Sequence, residues 1–276
     1  MSSGKLLINQ KSRQQLDLFA KNPVGAIILN GQKGVGLGTI AKEFAREIAK
    51  NEVFVLAPSL HKNQKTKTIN TDDTRKISDL AKSIRKKPLV VIIDEAEKIV
   101  ENAWQPLLKI LEEPAKNLYF ILTSHNTAKI PATILSRTQK IEVLPAPVND
   151  DFIEKKSALK VPEAKKVQLG FLAGNLPAEM ARLLSDEDYF REKSGNFSIA
   201  KEFLIGETGA KLISSTRIKN REDAQELIEN IAKILMLKPG RNFAKSMKTL
   251  AETSENISRN ANVKAQLLNL SINLQQ

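Results

Sequence analysis

The sequence predicts a parallel α/β domain followed by two all-helical units, and three observations carry that expectation. Short apolar runs alternate with amphipathic segments over residues 1–145. A glycine-rich loop joins the first of those runs to a helix. Beyond Leu144-Pro145-Ala146-Pro147 no strand-like run appears. Element by element, residues 12–21 read as a helix and 24–29 as the first strand, followed by a helix at 39–50. A strand at 53–57 precedes a helix at 72–87, whose opening Thr71-Asp72-Asp73 sets carboxylates at the positive end of the dipole. Strands at 89–94, 118–123 and 139–143 are separated by helices at 103–113 and 131–137. Strands interleaved with helices call for a parallel sheet covered on both faces.

The paired prolines suit a stiff connector to a helical unit over 146–186. The rest, 187–276, is helical too. Ala224, Leu227, Ile228, Ile231 and Leu235 recur at the spacing of one helix face, and Lys238-Pro239-Gly240 ends that helix. Amphipathic stretches follow at 243–256 and 262–274.

The loop Gly31-Gln32-Lys33-Gly34-Val35-Gly36-Leu37-Gly38-Thr39 follows Ala26-Ile27-Ile28-Leu29 in the strand, glycine loop, helix order of a phosphate cradle. The intact pattern is G-x-x-x-x-G-K-[ST], in which the lysine meets the phosphates and the hydroxyl meets Mg²⁺. Leu37 and Gly38 stand at those two positions, so the cradle has its glycines and lacks its chemistry. Lys33 sits at the wrong place in the loop to substitute. A dinucleotide fingerprint is the competing reading, but it needs an acid closing the second strand, where Ala57-Pro58-Ser59 stands instead. Asp94-Glu95 at a strand's carboxyl end fits a pair that holds Mg²⁺ and polarises water; capping of the next helix is the bland alternative. Arg137 closes a helix, where the dipole alone would favour it.

Composition narrows the function classes. The chain has no cysteine, and His61 and His125 lack ligand spacing, so disulfides are excluded and no metal site, zinc included, is expected. No stretch reaches the ~20 apolar residues of a membrane span, and Met1 to Lys5 do not open a signal peptide. A soluble cytoplasmic protein is the expectation. A net charge of +12 favours anionic partners, or reflects a lysine-rich solvated surface. Aromatic residues make up only 5% and are not interleaved with the basic ones, so any DNA contact is expected at backbone phosphates.

Together, Asp94-Glu95-Ala96-Glu97, the run from Gln105 to Pro114 (Q-P-L-L-K-I-L-E-E-P), Phe120-Ile121-Leu122-Thr123-Ser124 and Pro131 to Arg137 resemble the AAA+ clamp-loader subunits of bacterial DNA polymerase III, most of all the delta-prime type. The resemblance spans nearly the whole chain and is strongest over 89–138. It implies an AAA+ core at 1–145, a helical lid at 146–186 and an oligomerisation collar at 187–276. It also implies that Ser124 is the sensor 1 residue, Arg182 the sensor 2 residue of the lid, and Arg137 an arginine finger acting in the neighbouring subunit's ATP site. The residual nucleotide site would comprise Gly31, Gly34, Gly36, Leu37, Gly38, Thr39, Asp94, Glu95, Ser124 and Arg182. Two departures stand out: the family's four-cysteine zinc module is replaced by a short polar stretch at 59–71 with Lys62, Lys65 and Lys67, and Thr138 follows the arginine where the family has cysteine.

The resulting expectation is a stator that requires no cofactor of its own, with ATP and Mg²⁺ at its own site an open question. Its partners would be gamma/tau-like motor subunits and a delta-like subunit in a hetero-oligomeric ring, the sliding clamp and primer-template DNA, with no membrane. Two alternatives stay open: an active ATPase of the same lineage using Asp94, Glu95, Ser124 and Arg182, and a standalone DNA-binding adaptor.

Overall fold

A computed structural model of the chain describes residues 6–21, 23, 25–50, 52–61, 66–81, 86–157, 160–218 and 220–274. Val24, Lys62, Lys65, the 82–85 part of the expected third helix and the Met1 to Lys5 segment lie outside them. The chain divides into two compact units, Met1–Ser185 and Asp186–Gln276.

In the first unit α1 (Gln10–Lys21), β1 (Ala26–Asn30), α2 (Leu37–Ala49), β2 (Val53–Leu56), α3 (Thr71–Ala81), β3 (Leu89–Ile93), α4 (Gln105–Glu112), β4 (Leu118–Ser124), α5 (Ala132–Leu135) and β5 (Gln139–Glu142) follow in order. The five strands form one sheet in the order β2-β3-β4-β1-β5, and every pairing is parallel. Side chains alternate between its faces with the period of two that a pleated strand imposes. Ile28, Val91, Ile93, Phe120 and Leu122 share one core with Ile77 of α3 and Leu107 of α4. Ile27, Leu29, Val90, Ile92 and Ile121 share the other with Leu16 of α1 and Phe44 of α2. Both faces are thus buried, as an all-parallel sheet requires.

Local chemistry moves several boundaries from their expected places. Gly36 adopts a left-handed conformation (φ 92°), and the first helical bond runs from Ile40 N–H to its carbonyl, so α2 starts at Leu37 and not at 39. Asn70 caps α3 reciprocally: its Oδ1 accepts from Asp73 N–H at 3.0 Å while Asp73 Oδ2 accepts from Asn70 N–H at 3.1 Å. The expected helix at 103–113 is a 3₁₀ turn, Glu101–Trp104, running into α4.

The segment expected to hold the zinc module's replacement is a short hydrogen-bonded excursion. Ser59 and Thr68 pair backbone to backbone, and Ile69 bridges to Ile99. His61 Nε2 donates to Thr68 O at 3.0 Å and its Nδ1 accepts from Asn70 Nδ2 at 3.1 Å, with Asp73 Oδ2 3.3 Å from Nε2.

After β5 the chain is pinned by Ser12, whose Oγ donates to Glu142 O at 2.9 Å and accepts from Leu144 N–H at 3.0 Å. Three helices complete the unit: α6 (Asp150–Lys156), α7 (Glu163–Ala173) and α8 (Pro177–Ser185).

The second unit is built from α9 (Glu187–Ile205), α10 (Thr208–Thr216), α11 (Arg221–Leu237), α12 (Phe243–Ser258) and α13 (Val263–Asn273). Phe203, Leu227, Ile231, Leu250, Ile257, Leu267 and Leu270 form its core. Lys211 is buried and donates to Leu274 O at 3.0 Å; burial holds its ammonium below the ordinary lysine value. Among the described residues no helix is long and apolar enough to cross a membrane.

Phe203 is fully buried in this second core. Phe203→Ala is expected to cost about 3–5 kcal/mol, measured as a shift in the denaturation of the helical unit in the full chain.

Candidate functional site

A parallel sheet places every strand-to-helix loop at its carboxyl edge and every helix-to-strand loop at its amino edge. The predicted site residues fall on both. At the carboxyl edge, the loop of residues 31–39 leaves β1 and turns through Gly34 (φ 94°) and Gly36 (φ 92°), two conformations that only glycine takes without strain. Gly31 N–H donates to Ser124 O at 3.2 Å, which ties the loop to the end of β4. Leu37 is only 2% exposed and packs in the α1/α2 core, while Lys33 and Thr39 are exposed. Val35 and Leu37 converge on Gly31: a Cβ built there would lie 3.1 Å from Val35 Cγ2 and 3.2 Å from Leu37 Cδ2. Hydrocarbon crosses the base of the loop where an intact cradle would carry an ammonium.

Asp94 closes on the same loop from β3. A Cβ at Gly38 would sit 3.0 and 3.1 Å from its two carboxylate oxygens, so the glycine lets the acid approach. Thr123 holds the pair: its Oγ1 donates to Asp94 Oδ1 at 2.6 Å and accepts from Glu95 N–H at 2.9 Å. Asp94 therefore does not cap the turn that follows it. Glu95 takes a left-handed conformation (φ 49°) and its carboxylate pairs with Lys98. Ser124 is fully buried, and its Oγ accepts from Asn126 N–H at 3.1 Å. The side chain that reaches the loop from the end of β4 is its neighbour His125, whose Nδ1 donates to Gly31 O at 2.8 Å while its N–H donates to Glu97 Oε1 at 3.1 Å. Asp94 thus brings a carboxylate against the loop, and no cation stands at position 37 to offset it.

The outer side of the loop is covered from α8. Ala178 and Glu179 N–H groups donate to Gly34 O at 3.0 and 3.3 Å. Leu176 lies against Gly34 and Ala178 against Gly36, at 2.9 and 3.2 Å from built Cβ positions. Arg182 stands exposed one turn beyond Ala178, on the helix face that meets the loop. Gly31, Gly34, Gly36, Leu37, Gly38, Asp94, Glu95, Ser124 and Arg182 are therefore brought to one edge.

Arg137 is not with them. It precedes β5, whose pairing sets Gln139 beside Ile27 and Glu142 beside Asn30. Arg137 is thus level with the start of β1, about 20 Å from Gly31 at 3.3 Å per residue. Its Nη1 donates to Thr133 O and its Nη2 to Glu112 Oε1, both at 2.9 Å, beside a cleft of about 410 Å³ lined by Gly25, Pro114, Ser136 and Gln139 among others. The other connections at this edge end in exposed lysines: Lys21 before β1, Lys50 before β2, Lys86 and Lys87 before β3, Lys116 before β4.

Sequence reading missed three participants. Thr123 was legible only as a strand residue, His125 only as a histidine without ligand spacing, and Glu112 only as one letter of a motif; each acts through a partner 25 or more residues away.

Thr123→Val keeps the shape and strips the hydroxyl from Asp94 and Glu95 N–H. It is expected to destabilise the first unit by about 1–3 kcal/mol, read by chemical denaturation. Leu37→Lys, which restores the pattern on paper, replaces a buried leucine of the core with an ammonium and is expected to destabilise the first unit in the same measurement.

Residues 50–147 match the family model described as "DNA polymerase III, delta subunit". The chain is 28% identical over 234 residues to DNA polymerase III subunit gamma/tau of Mycoplasma genitalium, a match covering 75% of this chain and 38% of that protein. It is 33% identical over 135 residues to DNA polymerase III subunit delta' of Haemophilus influenzae, covering 48% and 40%. The matches span about two fifths of the length of these relatives. Among solved structures, a DNA polymerase III gamma subunit-related protein of Thermotoga maritima superposes with a TM-score of 0.58 at 18% identity, over 95% of this chain and 98% of that one. A RuvB variant of the same organism superposes with a TM-score of 0.53 at 16% identity, over 96% and 87%. At these identities the structures speak for the fold, which is the AAA+ α/β core with helical units after it. The family match over residues 50–147, the two polymerase relatives and the shared fold make this chain similar to the clamp-loader subunits of DNA polymerase III.

Proposed function

We propose that the chain is a delta-prime-like stator of a clamp loader, which does not hydrolyse ATP itself and lends Arg137 to a neighbouring motor subunit. The observation that carries this reading is Leu37, buried at the position of the phosphate-binding lysine. Restoring binding there would require more than a charge. The loop base is filled by Val35 and Leu37, and Gly38 has no hydroxyl for a metal. These surroundings do not fit Mg²⁺·ATP. They also weigh against the active-ATPase alternative, since Glu95 is ion-paired with Lys98 and Ser124 Oγ is bonded to a backbone amide.

Arg137 supplies what the loop lacks, on another molecule. At the amino edge it is too far from its own loop to act there, and a guanidinium facing a neighbour's phosphates stabilises charge that develops during phosphoryl transfer. The exposed lysines along that edge add a field that attracts polyphosphate. In the second unit Ile205, Ile213 and Ile272 are 75%, 64% and 60% exposed, which suits a collar that packs on other subunits of a hetero-oligomeric ring. Gamma/tau-like motors and a delta-like subunit are the partners this reading names. ATP-driven assembly would then open the sliding clamp on primer-template DNA, with DNA held through its backbone.

In a complex reconstituted with its motor subunits, Arg137→Ala is expected to leave assembly intact and to reduce turnover at the adjoining ATP site on the order of 10³-fold. An unchanged rate overturns the finger. The isolated chain is expected to bind no ATP by calorimetry, and hydrolysis by it alone at motor-like rates overturns the stator reading.

A further inference from the structure

Glu112 is the last residue of α4, and Glu113 follows it. Two carboxylates at the carboxyl end of a helix oppose its dipole, which favours cations there. A local rule broken in this way commonly marks a functional position. Glu112 reaches across 25 residues of sequence to Arg137, accepting from Nη2 at 2.9 Å, while Thr133 O accepts from Nη1 at 2.9 Å. A guanidinium carries five N–H donors, so two anchoring bonds fix its plane and leave three for another acceptor. The cleft of about 410 Å³ beside the pair is lined by both residues and offers the untethered side chain room to turn aside.

We propose that Glu112 is a positioning residue that holds Arg137 in the orientation in which it meets a neighbour's phosphate. The inference rests on the arginine-finger reading above and adds to it the carboxylate through which α4 sets the finger. Glu112 touches no substrate; it acts by limiting the rotamers of Arg137. Its partner Glu113 has the same charge and the same place on the helix end, and serves as the internal control.

The test is steady-state ATPase of the reconstituted complex. Glu112→Ala is expected to lower kcat about tenfold, short of the roughly hundredfold that a misplaced catalytic group can cost, with KM for ATP and complex assembly unchanged. Glu112→Gln keeps an oxygen that accepts from Nη2 and is expected to restore most of the rate; Glu113→Ala is expected to leave it unchanged. Adding Glu112→Ala to Arg137→Ala is expected to cost nothing further, because the two act as one unit. If Arg137→Ala lowers the rate and Glu112→Ala does not, the positioning role is overturned and the finger stands. If Arg137→Ala has no effect, the finger itself is overturned, and this inference with it.

Discussion

Parallel pairing of β1 with β4 on one side and β5 on the other is the constraint from which the rest follows. It fixes Asn30 beside Ser124 and beside Glu142, so the loop that leaves β1, the acid pair at the end of β3 and the turn after β4 emerge along one edge. The same constraint sends the segment before β5, with Arg137, to the opposite edge. No rearrangement of side chains could bring the two together without breaking the sheet. A chain built this way carries the glycine loop and the acid pair on one edge and Arg137 on the other.

At the first edge, apolar packing fills the base of the loop. Leu37 contributes to the same core as Ile40 and Phe44, and Thr123 satisfies Asp94 and Glu95 N–H with its single hydroxyl. The backbone amides that open α8 meet the Gly34 carbonyl. Each of these contacts is internally complete, and together they make the degenerate loop a stable part of the fold.

Much of the architecture was legible because it depends on local patterns. Strand runs such as Leu89–Ile93 are apolar throughout since both faces of the sheet are covered, and the apolar stripe from Ala224 to Leu235 repeats at the helical period. Boundaries were less legible where a single residue decides them: Gly36 starts α2 early by turning left-handed, and Asn70 caps α3 by pairing with Asp73. The site was legible in its backbone and not in its side-chain partners. Leu37 and Gly38 declare their defect in the motif, but nothing in sequence spacing announces that Thr123 would hold Asp94, that His125 would reach Gly31, or that Arg137 would lean on Glu112. Those pairs are set by strand register and helix packing, which bring distant positions together.

The Ser59–Thr68 excursion has a further implication. Its backbone pair is backed by one imidazole, shared among a backbone carbonyl, an amide and a carboxylate. This chain has no cysteine to place there. The segment has no thiol, so cysteine oxidation cannot open it, and its closure is a matter of hydrogen bonding alone among the described residues.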